Sequence, residues 1–150
     1  MGTRSLTYFY DDKFNNTEMQ DPLLCFYRQY DGYIAGHGFE LGFYLSKFKV
    51  VNGLGRNDDD QIKIANGMGC LSAQLIALFK TEAGNIYISA PILNKDCGQE
   101  YEYHVYQDKI EVFSLYNEHG RYKTKLFSGS WLEFFEYCQA TKKQEEKEVA

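Results

Sequence analysis

The sequence predicts an α+β fold, with a largely antiparallel sheet of about five to six strands and about three helices packed on one face. Two strand-like segments come first, two helix-like segments follow, and a meander of strand-like segments closed by a helix completes the chain. Strands in runs beside helices in runs are typical of this class. A length of 150 residues, with 44% hydrophobic and 25% charged residues, is that of one globular domain.

The first two strands are predicted from their aromatic and apolar residues. Residues 3–10 alternate between two faces, and residues 23–30 form a nearly continuous apolar run that suggests burial on both faces. The polar residues 11–21 between them are expected to form a loop. A second loop, residues 31–38, carries three glycines, so its backbone needs unusual dihedral angles or close approach to a neighbour.

Two helices are predicted in the middle of the chain. Residues 39–48 suit a short amphipathic helix despite the glycine at position 42. After a loop over residues 52–60, a longer helix is expected to run to about Lys80. Asp59 or Asp60 is placed to cap its N-terminus and to interact with the positive end of the helix dipole.

The C-terminal half is predicted to form most of the sheet. Residues 85–90 read as a strand, residues 100–106 and 110–116 alternate and are separated by a hairpin-sized gap, and residues 125–127 suit a short further strand. We therefore expect a meander of neighbouring antiparallel strands in this half.

The last helix is predicted to begin at Ser130, where Ser130 and Glu133 have the spacing of a capping box, and to continue to about Ala140. The charged residues that follow predict a disordered tail. The expected organisation is therefore one α+β domain over residues 1–140 and a charged, disordered tail over residues 141–150.

Charge and cysteine usage narrow the classes of partner. The formal net charge is -5 and the basic residues are scattered, so neither duplex nucleic acid nor a membrane is expected as a partner. None of the 4 cysteines forms a C-x-x-C pair, which predicts free thiols and neither a metal site nor a cofactor. No segment has the layout of a signal peptide or the length of a membrane span, so a cytoplasmic protein is expected.

Several segments are together similar to those of a known group of proteins. They are residues 1–7, 27–33, 36–38, 64–70, 101–106 and 127–131. The chain resembles a family of small uncharacterised proteins of bacteria and their phages, and the resemblance spans most of its length. It implies no established activity and assigns no catalytic residue. The phage association implies candidate roles in host takeover or counter-defence.

The segment from Arg28 to Glu40 is the strongest candidate site. An arginine near the end of an apolar strand is costly to bury unless it is paired. Backbone amides of the glycine loop, which leads into a helix, suit a phosphate or carboxylate together with the guanidinium, and tyrosine rings could stack a planar group. The residues predicted to bind such a ligand are Arg28, Tyr30, Asp31, Tyr33, His37 and Glu40. In the alternative, structural interpretation, Arg28 pairs with Asp31 or Glu40, the histidine caps a loop carbonyl, and the glycines form a turn.

Other motifs carry less information. Residues 53–56 lack the third glycine and the βαβ context of a dinucleotide loop. The three aspartates at 58–60 lack the spacing and the distal glutamate of a calcium loop, so capping and solvation are the favoured interpretation. His104 lies beside Glu102 on one predicted strand, which suits either general-base chemistry or, more often, a half-exposed cross-strand contact.

Aromatic residues make up 17% of the chain, including 13 tyrosines. Tyrosine concentrates at interfaces, but a broad aromatic core with hydroxyls at its wet edge would explain the same composition. The tyrosines considered for an interface are Tyr33, Tyr101, Tyr103, Tyr106 and Tyr116.

The function expected from these features is that of a non-catalytic binding protein, with self-association into a homo-oligomer. Given the resemblance, the concrete form is a phage accessory or counter-defence protein that sequesters a small anionic, nucleotide-like ligand. One alternative is an interaction module that blocks a host protein. A second alternative is a small hydrolase or transferase that uses acid–base chemistry of histidine and glutamate side chains.

Overall fold

The computed structural model describes residues 2–11, 21–53 and 62–149 of the chain. Eight strands, three α-helices and one π-helical turn are found within these residues. In chain order they are β1 (Ser5–Phe9), β2 (Leu24–Arg28), the π-helical turn (Ile34–Gly38), α1 (Phe39–Leu45), β3 (Phe48–Val51), β4 (Lys63–Asn66), α2 (Gly67–Phe79), β5 (Ile86–Ser89), β6 (Tyr101–Val105), β7 (Ile110–Asn117), β8 (Gly120–Gly129) and α3 (Trp131–Val149).

The main sheet has six strands in the order β5-β2-β1-β6-β7-β8. Neighbouring strands are antiparallel except β1 and β6, which run parallel and place Thr7 opposite Tyr103. The predicted α+β fold class with a largely antiparallel sheet is thus confirmed. The last strand, β8, is longer than the short segment expected at residues 125–127 and pairs with β7 through two register irregularities.

The two faces of this sheet have different partners because successive side chains of a strand point in opposite directions. Side chains such as Phe9, Phe26 and Tyr103 point toward the three helices and form the large core with Leu41, Leu45, Met68, Leu71, Leu75, Trp131, Phe134 and Cys138. The opposite face carries a smaller cluster made of Leu6, Tyr8, Tyr10, Cys25 and Tyr106. The helices therefore cover one face, as predicted.

The segment between α1 and α2 differs from the prediction. Strands β3 and β4 form a small separate parallel sheet, so Phe48 belongs to a strand and not to the first helix. The longer helix begins at Gly67 after Asn66 and not near residue 60, and it ends at Phe79 as expected. The predicted capping by Asp59 or Asp60 is wrong, because a strand intervenes before the helix starts; these two aspartates themselves lie outside the described residues. The backbone of Gly67, with φ of 81°, makes the turn from strand to helix.

The final helix, α3, starts with the predicted capping box. Glu133 Oε1 accepts a hydrogen bond of 2.9 Å from the backbone amide of Ser130, and the hydroxyl of Ser130 accepts one of 3.1 Å from the amide of Glu133. The helix does not end near Ala140 but runs to Val149, so residues 141–149 are helical where a disordered tail was predicted. No glycine or proline interrupts this segment, and the ammonium of Lys142 lies 4.3 Å from the ring centroid of Phe39.

Two predicted loops cannot be compared in full. The loop at residues 11–21 and the loop at 52–60 both lie largely outside the described residues, as do the three aspartates at 58–60. None of the helices in the described part of the chain is long and apolar enough to span a membrane.

Candidate functional site

Arg28 is the last residue of β2, and its side chain is buried between the sheet and the helices, with 7% of its surface exposed. Its guanidinium has three partners from the chain itself. Nε donates to the carbonyl of Tyr30 at 2.6 Å, and Nη1 donates both to Oε2 of Glu40 at 2.5 Å and to Nδ1 of His37 at 3.2 Å. The Cζ atom also lies 5.9 Å from the ring centroid of Phe79. These contacts offset the cost of burying the charge.

His37 holds the guanidinium from the interior and is fully buried. Because arginine can only donate, Nδ1 of His37 must be the acceptor, and the ring proton is then on Nε2. Nε2 lies 2.8 Å from the hydroxyl of Thr7 on β1 and donates to it. Burial, with the adjacent charge of Arg28, lowers the pKa of His37 well below its ordinary value, which keeps the ring neutral. The result is a fixed chain of contacts from Thr7 through His37 and Arg28 to Glu40.

The second terminal nitrogen of Arg28 is open. Nη2 has no hydrogen-bond partner among the described residues, yet it is not one of their enclosed, unpartnered atoms, so it keeps contact with solvent. Arg28 lines a cleft of about 180 Å³. The other residues that line this cleft are Glu40, Tyr44, Leu78, Phe79, Thr81, Asn85 and Ile86.

Two further polar groups in the cleft are available for a ligand. The exposed Thr81 makes no side-chain hydrogen bond within the described chain, and Asn85 uses only its Oδ1 atom, which accepts from the amide of Tyr30 at 3.0 Å. The residues that line the cleft therefore carry an unpartnered guanidinium nitrogen, a hydroxyl and an amide NH₂ group, together with the carboxylate of Glu40. Tyr44 and Phe79 are the two aromatic residues among those that line it.

The structure brings together three of the six residues predicted to bind a ligand, namely Arg28, His37 and Glu40. Of these, His37 supports the guanidinium from behind and does not reach the cleft surface. Tyr30 contributes its backbone, while its side chain is 49% exposed. The remaining two, Asp31 and Tyr33, lie elsewhere on the surface, with the hydroxyl of Tyr33 3.5 Å from Oδ1 of Asp31.

The glycine loop owes its sequence mainly to close packing. The left-handed backbone conformation in this loop belongs to Asp31, with φ of 62°, and not to a glycine. A Cβ atom on Gly36 would lie 2.5 Å from the carbonyl oxygen of Asp31, and one on Gly32 would lie 2.8 Å from the carbonyl oxygen of Thr3. The sequence left open whether these glycines provide unusual dihedral angles or close approach to a neighbour. Close approach is the explanation that applies to Gly32 and Gly36.

Sequence reasoning missed Thr81 and Asn85. Both lie in the turn between α2 and β5, and the antiparallel pairing of β5 with β2 places Ile86 opposite Arg28. The left-handed residue Asn85, with φ of 63°, follows a glycine, which is a turn signal in the sequence. Only knowledge of which strand pairs with β2 would have placed this turn beside the arginine.

A second polar cluster lies on the opposite face of the sheet. His104 is 4% exposed, and its Nδ1 lies 2.7 Å from the hydroxyl of Tyr10, while its Nε2 lies 3.0 Å from Oε1 of Glu102. Burial alone would raise the pKa of Glu102, but hydrogen bonds from His104 and Gln99, with the charges of His104 and Lys123, outweigh it and lower the pKa to about 2. Glu102 is therefore ionised and fully engaged.

These contacts bear on the acid–base alternative. Both nitrogens of His37 and both nitrogens of His104 already have partners, and both residues are buried. No observation on the described residues favours general acid–base chemistry at either histidine. Within the same residues, no three His, Cys, Asp or Glu side chains are grouped so that they could hold a metal ion.

The tyrosines divide between core and surface. Tyr103 and Tyr106 are buried and Tyr101 is half-buried, whereas Tyr33 and Tyr116 are 37% and 40% exposed. Most of the hairpin tyrosines thus contribute to the aromatic core. Because only two of these five tyrosines are exposed, they do not support an interaction surface made of tyrosines. The interaction module stays a prediction.

Comparison of the chain with protein-family models, with curated proteins and with solved structures finds no match. The class of protein is therefore defined by the fold and the cleft alone. It is an α+β domain in which a buried arginine, held by other groups of the same chain, lines an open, polar cleft.

Proposed function

We propose that this protein is a non-catalytic binding protein whose cleft beside Arg28 holds a small anionic group, such as a phosphate or a carboxylate. The observation that carries the proposal is the position of the guanidinium. Three of its hydrogen bonds are made to its own chain, which fixes its orientation, while Nη2 remains available in a cleft that also offers Thr81 and Asn85. A preorganised donor set of this kind binds anions without first losing side-chain freedom.

The size of the cleft sets the size of the bound group. About 180 Å³ accommodates one phosphate or one carboxylate, and the remainder of a larger ligand would extend past the rim. Tyr44 is half-buried at that rim, where its ring could contact a planar group. A mononucleotide is thus a suitable ligand when its phosphate enters first.

Glu40 acts against anion binding in this proposal. Its carboxylate neutralises Arg28, but its side chain is 46% exposed and lies at the start of α1, so it can turn toward solvent. A bound anion competes with Glu40 for the guanidinium. Removal of the Glu40 charge should therefore strengthen anion binding, whereas an ion pair with a purely structural role would show no such effect.

The first prediction concerns variants of the cleft titrated with inorganic phosphate and with AMP, adenosine serving as the uncharged control. We expect Glu40→Gln to bind both anions roughly three-fold to ten-fold more tightly, because the competing charge is removed. Arg28→Met should weaken binding by at least about ten-fold, since a charge-assisted hydrogen bond is lost. Isothermal titration calorimetry measures the affinities.

Thr81→Val is the second cleft variant, chosen because the side chain of Thr81 is exposed and makes no hydrogen bond within the described chain. It should weaken phosphate binding by roughly three-fold, the loss of one neutral hydrogen bond. If Glu40→Gln and the unmodified protein both fail to bind phosphate and AMP at millimolar concentration, the ion pair is structural and the proposal is wrong.

The biological role proposed for such a site is sequestration. The resemblance to small proteins of bacteria and their phages supports an accessory or counter-defence role in which a nucleotide-like signal is withheld from the host. Because both ring nitrogens of His37 already have hydrogen-bond partners, this histidine is not available to transfer a proton, and the ligand is expected to be released unchanged on denaturation. Mass spectrometry of small molecules released from protein purified from its native cell tests this role.

A further inference from the structure

A second opening lies beside the start of β1, the same strand end at which Ser5 pairs with Arg28, and it shares no lining residue with the cleft of Arg28. It measures about 370 Å³ and is lined by Gly2, Thr3, Arg4, Gly98, Glu100 and Tyr116. These residues come from the segment before β1, the loop and residue before β6, and the end of β7. No residue of the first cleft takes part.

The opening contains one charge of each sign, and neither forms an ion pair with another described residue. The guanidinium of Arg4 makes a single long hydrogen bond, 3.4 Å from Nη1 to the carbonyl of Cys97, and forms no ion pair with a carboxylate of the described chain. The exposed carboxylate of Glu100 likewise forms no ion pair or side-chain hydrogen bond within residues 2–11, 21–53 and 62–149. By contrast the neighbouring Arg121 is paired with Asp96 at 3.2 Å. Arg4 and Glu100 line the same opening without bonding to each other.

The backbone of the two charged residues is fixed. The amide of Glu100 donates to the carbonyl of Arg4 at 2.9 Å, and the amide of Leu115 donates to the carbonyl of Glu100 at 2.8 Å. These bonds tie the starts of β1 and β6 to the end of β7. The two charges therefore project from a rigid frame.

The guanidinium of Arg4 also packs closely against the backbone of Gly98. Gly98 has φ of 79°, and a Cβ atom built on it would lie 2.6 Å from Nη1 of Arg4. This φ favours glycine, and a Cβ atom at this point would displace the guanidinium from its position against the loop. On the far side, the ring of Tyr116 is held by Arg121, whose Nη1 donates to its hydroxyl at 3.3 Å.

From this arrangement we infer that the opening is a binding site for a small zwitterion, such as a free amino acid or a short peptide with free termini. A ligand carboxylate would pair with Arg4 and a ligand ammonium with Glu100. A simple anion would meet the charge of Glu100, and a simple cation would meet that of Arg4, so a ligand with both charges is favoured over either. The volume of about 370 Å³ admits a molecule of a few residues.

The test compares ligands that differ only in charge. Glycine, diglycine and triglycine carry both charges at increasing separation, N-acetylglycine carries only the negative charge, and glycinamide carries only the positive one. Two-dimensional NMR should show saturable shifts of the amides of Gly98 and Glu100 with one of the three zwitterions. Its affinity is expected to exceed that of both singly charged compounds by at least about ten-fold.

Two variants and one control assign the binding to this opening. Arg4→Met and Glu100→Gln should each weaken the binding of the best zwitterion by about ten-fold, and each should make one singly charged analogue as good as the zwitterion. Arg28→Met, in the other cleft, should leave the affinity unchanged, so the two proposals can fail separately.

Three results would overturn the inference. The first is the absence of saturable shifts with glycine, diglycine and triglycine at concentrations up to about 10⁻² M. The second is an affinity for N-acetylglycine equal to that for the best zwitterion. The third is an unchanged affinity for this zwitterion in both Arg4→Met and Glu100→Gln.

Discussion

At the residue scale, the buried guanidinium of Arg28 is stabilised by three hydrogen-bond acceptors of different chemical kinds. Arg28 is oriented by a backbone carbonyl, a neutral imidazole and an exposed carboxylate. The sequence predicted that an arginine at the end of an apolar strand needs partners, and Glu40 was one of the two acidic residues considered. It could not predict that His37 accepts from the guanidinium, because that contact depends on how the π-helical turn packs against β1.

The neutral state of His37 predicts a pH dependence of stability. Since the folded pKa is lowered below the ordinary value of 6.5, the unfolded chain takes up a proton below about pH 6.5 that the folded chain does not. The free energy of unfolding should therefore fall as the pH is lowered through this range, with a contribution that approaches about 1.4 kcal/mol per pH unit. Above about pH 6.5, His37 is neutral in both states and adds no pH dependence to the free energy of unfolding.

His37→Asn isolates this effect, because Oδ1 of asparagine can accept from Arg28 in place of Nδ1 and does not titrate. Urea unfolding between pH 7 and pH 5 should show a smaller slope with pH for this variant than for the unmodified protein. Parallel slopes would mean that His37 is protonated in the folded state, against the hydrogen-bond assignment.

At the element scale, alternation along the strands separates the face that packs against the helices from an outer face, which carries charged pairs beside the smaller hydrophobic cluster. Toward the helices the strands present the large core, whereas on the outer face β8 supplies cations to carboxylates of neighbouring segments. The pairs are Arg121 with Asp96 at 3.2 Å, Lys123 with Glu102 at 3.5 Å and Lys125 with Glu111 at 2.8 Å. Both lysines of this strand are thus engaged by carboxylates.

The edge strand β5 is protected in a similar manner. The ammonium of Lys80 contacts the carbonyls of Gly84 and Ile86, each at 2.9 Å, and that of Lys95 contacts the carbonyl of Ala90 at 2.5 Å. Lysines at an edge oppose pairing with another strand. Self-association, expected from the sequence, stays a prediction and gains no support from this edge.

The elements that the sequence predicted are those with strong local signals. The capping box of Ser130 and Glu133 needs only three residues of spacing, and the hairpin of β6 and β7 needs only alternation and a short gap. The missed elements, β3 and β4, are four residues each and, among the described strands, pair with one another and not with the main sheet. Such short strands carry too little periodicity to be told from helix or loop.

Helix α1 and helix α3 approach each other closely at Gly42, which gives a prediction at this scale. A Cβ atom there would lie 3.1 Å from the Cα atom of Phe135, a backbone atom that cannot turn aside. Gly42→Ala should therefore lower the free energy of unfolding by about 1 kcal/mol or more, although alanine is the better helix former. Thermal and urea unfolding measure the change.

Gly69→Ala is the matched control in α2. The nearest atom to its added Cβ would be Cδ2 of Leu23 at 3.8 Å, an ordinary contact. Here alanine should stabilise the protein by about 0.5–1 kcal/mol. Stabilisation of both variants to the same extent would show that the helices are not as close at Gly42 as described.

At the scale of the whole molecule, the cleft exists because distant segments meet. The chain passes from β5, at one edge, to β6, which pairs in parallel with β1 in the middle of the sheet. The end of β2, the start of α1 and the turn before β5 converge at Arg28. The fold class followed from local patterns, but Thr81 and Asn85 could not be assigned to the site without this long-range pairing.

The arginine side-chain NMR signal of Arg28 tests the central claim most directly. Its Nε–H group is held by the carbonyl of Tyr30, so the signal should be resolved and should report on what the rest of the guanidinium contacts. Titration with inorganic phosphate is predicted to shift this signal saturably, with a tighter midpoint in Glu40→Gln, while the signal of Arg121 stays in place. An unmoved Arg28 signal in both proteins, or an equal unsaturated drift of all arginine signals, would contradict an anion site at this cleft.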